Sequence, residues 1–400
     1  MTLEARATEA IKTLCPEGPV AVACSGGGDS IALLYLTVRA LGAPRVTVLS
    51  VNHNLRQEAA DEIGLVARHC ATLGVAHRAL DWHWSGVGNV QAAAREGRRG
   101  ALVAATAGPI LMGHTADDQA ETVLLRLARG SGVDGLAGIR PVSGRVIRPL
   151  LGETRADLRE WLRAEGVDWA DDPSNEDPRF DRIRARKMAD ALADLGLSRA
   201  RLLQTAELMQ DEADVLAYAA LDWAKTHVRA DAGDLLFDAA AARAAPLALL
   251  SRILAAAVQW MSASPYKPRR QATQNWLEQA TAQGSAPLGG VAMTVRDGAI
   301  RLSRERHAAA RCEKSSLTGL WDHRWQISGP VQSGTLRIAA LGDRLRDCPD
   351  WRSTGLPRRS LESTPAIFVD GGFVAAPLAG LSDGWDVFIP ISFITFLESR

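Results

Sequence analysis

Over the first 115 residues, short apolar runs alternate with longer stretches in which apolar positions recur every three or four residues. Val20 to Cys24, Val46 to Val51, Ala76 to Trp82 and Pro109 to Gly113 read as strands. Helices are predicted after Asp29-Ser30, through Ile31, Leu33, Leu34 and Leu36, then over Glu58 to Leu73 and Asn89 to Ala107. Repeated βα units at this spacing predict a parallel sheet covered on both faces, with ligands beyond the carboxyl ends of its strands. The loops after Cys24, Val51 and Gly113 fall at that edge.

Beyond Pro149 the pattern changes. Thr154 to Glu165 predicts an amphipathic helix capped by its threonine, and residues 198–228 one long connecting helix. Residues 236–285 read as mostly helical. Val291 to Leu302 reads as a hairpin turning at Asp297-Gly298, and the tail as β-rich, with a second hairpin around Asp370-Gly-Gly372. The chain therefore reads as an α/β parallel-sheet domain over 1–195, a helical connector over 196–230, a mostly helical middle domain over 231–315 and a small β-rich domain over 316–400.

Composition is that of a globular protein, 47% hydrophobic and 23% charged. Five cysteines, Cys15, Cys24, Cys70, Cys312 and Cys348, form no C-x-x-C pair, which predicts reduced thiols and no zinc or iron–sulfur site. No run of 18 apolar residues occurs and Met1 to Arg6 lacks a secretory core, so no membrane span and a cytoplasmic location are expected. Net charge is zero, but its distribution is uneven. Residues 241–320 carry 11 basic against 4 acidic side chains, whereas 1–240 carry 27 against 33. One basic block on a neutral chain suits a docked polyanion, and equally an ordinary solvated face.

The most informative chemistry is at Ser25-Gly26-Gly27-Gly28-Asp29-Ser30. Strand, glycine turn and helix N-terminus present backbone N–H groups to a phosphate, and Asp29 is placed to hold a phosphate-bound Mg²⁺. The lysine of a Walker A loop is missing. Next comes Gly113-His-Thr-Ala-Asp-Asp-Gln-Ala-Glu-Thr122, where His114, Asp118 and Glu121 are spaced to share a helix face. Two carboxylates beside a triphosphate need cationic partners, either Mg²⁺ or an ammonium substrate. First-turn capping is the competing account, and it suits Asp117 best.

These motifs resemble the PP-loop ATP-pyrophosphatases and, among them, the tRNA(Ile)-lysidine synthase family. The resemblance runs over residues 20–187. It also draws on Val51-Asn-His-Asn-Leu-Arg56, Ala93-Ala-Arg-Glu96, Arg129-Gly-Ser-Gly-Val-Asp-Gly-Leu-Ala-Gly138, Arg148-Pro-Leu150 and Asp172-Pro-Ser-Asn175. It implies an adenine nucleotide alpha-hydrolase-like domain that uses ATP and Mg²⁺ to adenylate the wobble cytidine of a minor tRNA(Ile) with a CAU anticodon. Free L-lysine then displaces AMP.

Carried onto this chain, the resemblance gives Ser25 to Ser30 the pyrophosphate and Asp29 the Mg²⁺. His53 falls near the adenine and ribose, or else is a strand-end histidine bonded to backbone. Arg95 meets phosphate or cytidine. Asp118 and Glu121 take the ammonium groups of lysine, and either is the candidate base. Arg129 to Gly138 is expected to be a mobile flap, its plainer account being a helix C-cap and loop. Arg148, Arg182, Arg184 and Arg186 are candidates for anticodon-stem phosphates. The family more often has Arg-Asn-Arg-Ile-Arg where this chain has Phe180-Asp-Arg-Ile-Arg-Ala-Arg186, which leaves their individual roles open. Lys267, Arg269 and Arg270 are expected to grip tRNA backbone. Trp161, Trp223 and Trp276 read as core. The tail recognises tRNA shape, holds the body together or forms an oligomer interface, with a homodimer among the open alternatives.

Three rival readings fit the sequence less well. A GMP-, NAD- or asparagine-type synthetase usually pairs with a glutaminase, and no Cys–His arrangement for one is present. A tRNA thiolase wants paired cysteines near the nucleotide. A non-catalytic RNA-binding or nucleotide-sensing protein need not keep Asp29, Asp118 and Glu121 beside the glycines.

Overall fold

The computed structural model describes residues 1–52, 59–83, 90–171, 181–296, 298–330 and 334–399. The side chains at 59, 90–95, 181–183, 187, 189 and 190 lie outside that description. The chain forms two compact units, Met1–Ala213 and Asp214–Arg400.

In the first unit, α1 (Leu3–Leu14) precedes a six-stranded sheet. Its strands are β1 (Val20–Ala23), β2 (Val46–Asn52), β3 (Ala76–Asp81), β4 (Ile110–Met112), β5 (Val142–Ser143) and β6 (Val146–Ile147), in the order β3-β2-β1-β4-β6-β5. All pairings are parallel except the β5–β6 hairpin. The helices are α2 (Gly28–Leu41), α3 (Ala59–Leu73), α4 (Val90–Ala105), α5 (Ala116–Ala128), the short α6 (Val133–Leu136), α7 (Arg155–Ala164), α8 (Asp181–Ala193) and the first half of α9 (Arg199–His227), whose residues from Asp214 on belong to the second unit. Each predicted strand and βα helix is present within a residue or two of its expected bounds.

The strand order reverses beside β1, whose neighbours are β2 and β4. Such a switch point opens a crevice at the carboxyl edge. Val20, Val22, Ile31, Leu33, Leu34, Val48 and Leu111 are buried together between sheet and helices, so the glycine turn is held rigidly at both ends. Trp161 packs against this core.

The second unit is built around a five-stranded antiparallel sheet. Its strands are β7 (Val228–Asp231), β8 (Asp234–Asp238), β9 (Ser285–Leu288), β10 (Val291–Arg296) and β11 (Ala299–Arg304), in the order β7-β8-β11-β10-β9. Between β8 and β9 run α10 (Ala239–Ala244), α11 (Leu247–Ser262) and α12 (Arg270–Gln283). The helical middle is thus present, but its helices share a core with a sheet of which the sequence pattern showed only the β10–β11 hairpin. Trp276 is 1% exposed in that core, and its indole N–H donates to Ala286 O at 2.8 Å.

The tail adds α13 (Arg306–Ala309), β12 (Gln326–Ser328), β13 (Leu336–Ala340), α14 (Arg358–Glu362), β14 (Pro365–Val369), β15 (Gly372–Ala375), β16 (Asp386–Phe388) and α15 (Phe393–Glu398). β13, β14 and β15 form one antiparallel sheet, with the expected turn at Asp370 and Gly371, and β12 pairs with β16. Among the described residues, no helix is long and apolar enough to cross a membrane.

Candidate active site

The glycine turn between β1 and α2 is set by backbone geometry. Gly26 has φ +90°, a region glycine enters without strain. Ser30 folds back over the turn: its hydroxyl donates to Gly27 O at 2.8 Å and accepts from the Ser25 amide at 3.2 Å. The amides of Gly28 and Asp29, in the first turn of α2, have no acceptor within the helix. At Gly113 a Cβ would lie 2.9 Å from Asp29 O, so only glycine lets the end of β4 approach the start of α2 this closely. A cavity of about 370 Å³ opens here, lined by Ser25, Gly27, Gly28, Asp29, Ser30, Asp118 and Arg155, among others.

Helix α5 starts from Thr115, not from His114. Asp118 Oδ2 accepts from the Thr115 amide at 2.9 Å and from its hydroxyl at 3.0 Å, closing a capping box. His114 therefore precedes the helix and does not share its face, although it lines the cavity. Asp117 caps a different helix, accepting from the Arg155 amide at the start of α7 at 2.8 Å, and pairs with Arg199 at 2.9 Å.

Capping uses one oxygen of Asp118, and the other belongs to a charge cluster. The Arg155 guanidinium reaches three carboxylates from two helices: Asp118 Oδ1 at 2.5 Å, Glu121 Oε1 at 3.0 Å and Asp29 Oδ2 at 3.1 Å. Arg186 pairs with Glu121 Oε1 at 2.9 Å. Glu121 is 2% exposed, and among the described residues its Oε2 has no hydrogen-bond partner. Burial pushes the Asp29 carboxyl up from its ordinary value; Arg155 opposes this and neighbouring Asp118 reinforces it. Burial works against the charged Arg155 guanidinium, yet Asp118, Glu121 and Asp29 outweigh it and hold that group above its ordinary range.

The described residues contain no group of three or more His, Cys, Asp or Glu side chains able to hold a metal alone. Asp29 offers a single carboxylate at the cavity. That donor set fits Mg²⁺, which is commonly bound through one or two carboxylates together with phosphate oxygens and water.

The structure brings Ser25 to Ser30, Asp29, Asp118, Glu121 and Arg186 together. Arg148 stands past β6 and donates to Arg140 O at 2.8 Å, and Arg184 is exposed on α8. Lys267, Arg269 and Arg270 are exposed around the start of α12 in the second unit. His53 and Asp172 to Asn175 lie outside the described residues, as do the side chains of Arg95 and Arg182. Within Arg129 to Gly138 lies α6, and the segment's far end is held by Gln119, which accepts from the Ile139 amide at 2.6 Å, and by Gln210, which donates to Ala137 O at 2.8 Å.

Two features escaped sequence reasoning. One is Arg155, a cation in the first turn of α7, where the helix dipole disfavours positive charge. That misfit was the available signal. The other is the strand-like strap at Trp169 and Ala170. The Ala170 amide donates to Gly26 O at 3.0 Å, and a Cβ on Gly28 would meet the Trp169 ring at 3.4 Å.

The family model described as PP-loop domain matches residues 1–191, and such a domain implies ATP-dependent chemistry with Mg²⁺. The tRNA(Ile)-lysidine synthase of Ruegeria pomeroyi is 42% identical over 392 residues, covering 92% of this chain and 91% of its own length. That of Hyphomonas neptunium is 38% identical, covering 72% of this chain and 82% of its own. That of Methylobacterium nodulans is also 38% identical, covering 72% and 91%. A similarity of this extent, carried through both units, means that the chain belongs to the tRNA(Ile)-lysidine synthase family.

Proposed function

We propose that this chain is an ATP-dependent carbon–nitrogen ligase that joins free L-lysine to the wobble cytidine of a cytoplasmic tRNA(Ile) with a CAU anticodon, giving lysidine, AMP and pyrophosphate. One observation carries the assignment of the site: beside a phosphate-binding turn, three carboxylates converge on a cation, and a buried oxygen of one of them lacks a donor.

In this reading the amides of the Ser25 to Ser30 turn hold the β- and γ-phosphates, and Asp29 holds Mg²⁺. Bound Mg²⁺ supplies Lewis-acid polarisation of the phosphate oxygens. The cytidine 2-oxygen bonds to the α-phosphorus as pyrophosphate leaves. The lysine ε-nitrogen then bonds to C2, and the C2–O bond breaks with its electron pair on AMP. The attacking amine must be neutral, so a carboxylate takes its proton. Of the two acids, Glu121 has the acceptor oxygen without a partner, which favours it as the base. The chain otherwise contributes position and fixed charge, the main levers for phosphoryl chemistry.

In the same reading Asp118 and Glu121 hold lysine, and the family resemblance assigns His53 to the nucleoside and Arg95 to the phosphate or cytidine. Arg148, Arg182 and Arg184 supply the nearer tRNA contacts, and Lys267, Arg269 and Arg270 those of a basic accessory domain over 231–315. The experiment supplies labelled lysine, ATP and transcripts carrying a CAU anticodon. Label enters the isoleucine transcript and not the methionine one. Label in neither, with wild-type protein folded and ATP bound, refutes the reading.

A further inference from the structure

Arg155 is held at its root as well as its tip. Its own amide donates to Asp117 Oδ2 at 2.8 Å, while the Ala116 amide donates to Glu153 O at 2.8 Å, so the N-termini of α5 and α7 clasp one another. Thr154 caps α7 by accepting from the Asp157 amide at 3.1 Å. From this fixed origin the side chain, 20% exposed, places each of its three nitrogens on a different carboxylate. A planar guanidinium fork can do this and a single ammonium cannot.

Without that fork, three acids from α2 and α5 would repel one another in a partly dehydrated cavity. With it, each acid is bound through one oxygen, and what the other oxygen meets differs among them. Asp118 uses its second oxygen in the capping box. Glu121 receives both Arg155 and Arg186 on Oε1, leaving Oε2 as the acceptor with no partner. Buried acceptors of this kind are rare in finished structures and call for a donor.

We infer that Arg155 is the positioning residue of the amine receptor: it ties Asp29, Asp118 and Glu121 into one rigid unit and, by taking Oε1 of Glu121, keeps Oε2 clear of protein donors for a lysine nitrogen that enters behind the cavity wall. This rests on the reading of lysine as the nucleophile. Arg155 does not itself touch the substrate; it acts through Glu121.

The test uses the full chain with Arg155→Met, Arg155→Lys and Glu121→Gln, reading lysine KM, kcat and thermal melting. Arg155→Met is expected to raise lysine KM about tenfold or more, with Arg155→Lys recovering part of the loss. On the Glu121→Gln background, Arg155→Met is expected to add less than about twofold, because both changes act through one oxygen. The inference is overturned if Arg155→Met leaves lysine KM unchanged, or if the two effects multiply independently. It is equally overturned if Arg155→Met lowers lysine KM, since Arg155 would then be an occupant that lysine displaces. Should Arg155→Met fail to fold, Arg155→Lys and its double variant with Glu121→Gln provide the same comparison. Failure of wild-type protein to place lysine on tRNA removes the underlying reading; normal wild-type activity with unaltered variants removes only the inference.

Discussion

Two acid–arginine clusters, one in each unit, show how the same side chains serve different ends. In the second unit Arg304 grips Asp322 through two bonds, Nε at 2.9 Å and Nη2 at 2.8 Å, and the Asp322 side chain is fully buried. Asp322 also accepts from Cys312 Sγ at 3.2 Å, and burial with the aspartate charge pushes that thiol up to about 11. A second buried arginine, Arg324, lies with its Nε 3.9 Å from the same carboxylate. In the first unit three carboxylates share one guanidinium, Asp29 and Asp118 at the wall of a cavity and Glu121 buried behind it with one oxygen unmatched. The Arg304 cluster is enclosed in the core of its unit; the Arg155 cluster borders a cavity, which is what the proposed reading uses.

The sharpest break in this comparison is Asp322→Asn. Asn tolerates the left-handed φ of 45° at that position, so the change isolates charge. Leaving Arg304 buried without its partner is expected to cost about 3–5 kcal/mol of stability in the second unit, seen as a drop in melting temperature. Glu121→Gln reverses the pattern. Lysine kcat/KM is expected to fall about 100-fold, about 2.7 kcal/mol, with melting nearly unchanged. Parallel losses of stability in both variants would erase the distinction.

A pH measurement sharpens it further. Burial lifts Asp234 to about 6 despite its bonds from Ser360 and Arg301. The folded chain therefore binds that proton more tightly than the unfolded chain does. Stability from this group is full below about pH 4 and is lost as pH rises through about 6, a change of about 3 kcal/mol. Urea unfolding across that window should flatten in Asp234→Asn. The smallest effect belongs to the exposed basic residues. Replacing Lys267, Arg269 and Arg270 together by Ala is expected to weaken tRNA binding about fivefold and reduce the salt slope by about 2–3, read from binding titrations at several salt concentrations.

The α/β half was legible because its signals are local. β-branched runs marked β1 and β2, and glycines marked the turn that needs φ +90°. The five-stranded sheet was less so. β8 presents only Leu235, Leu236 and Phe237 between two aspartates, and β9 contains Pro287, which argues against a strand on sequence grounds. Of the candidate site, Asp29 stood out directly behind the glycines, and Asp118 and Glu121 by their helical spacing after Gly113. Arg155 did not, since its partners lie 34 to 126 residues away in sequence and its only mark is a charge opposed to its helix dipole. Asp118 both caps α5 through one oxygen and pairs with Arg155 through the other, and one sequence position cannot show two oxygens facing different ways.

The most direct test of the amine receptor beside the phosphate turn is Asp118→Asn, with lysine kcat/KM and equilibrium ATP binding measured on one preparation. The account predicts that lysine use falls far more than ATP affinity. Loss of ATP binding with an unchanged lysine KM would contradict it.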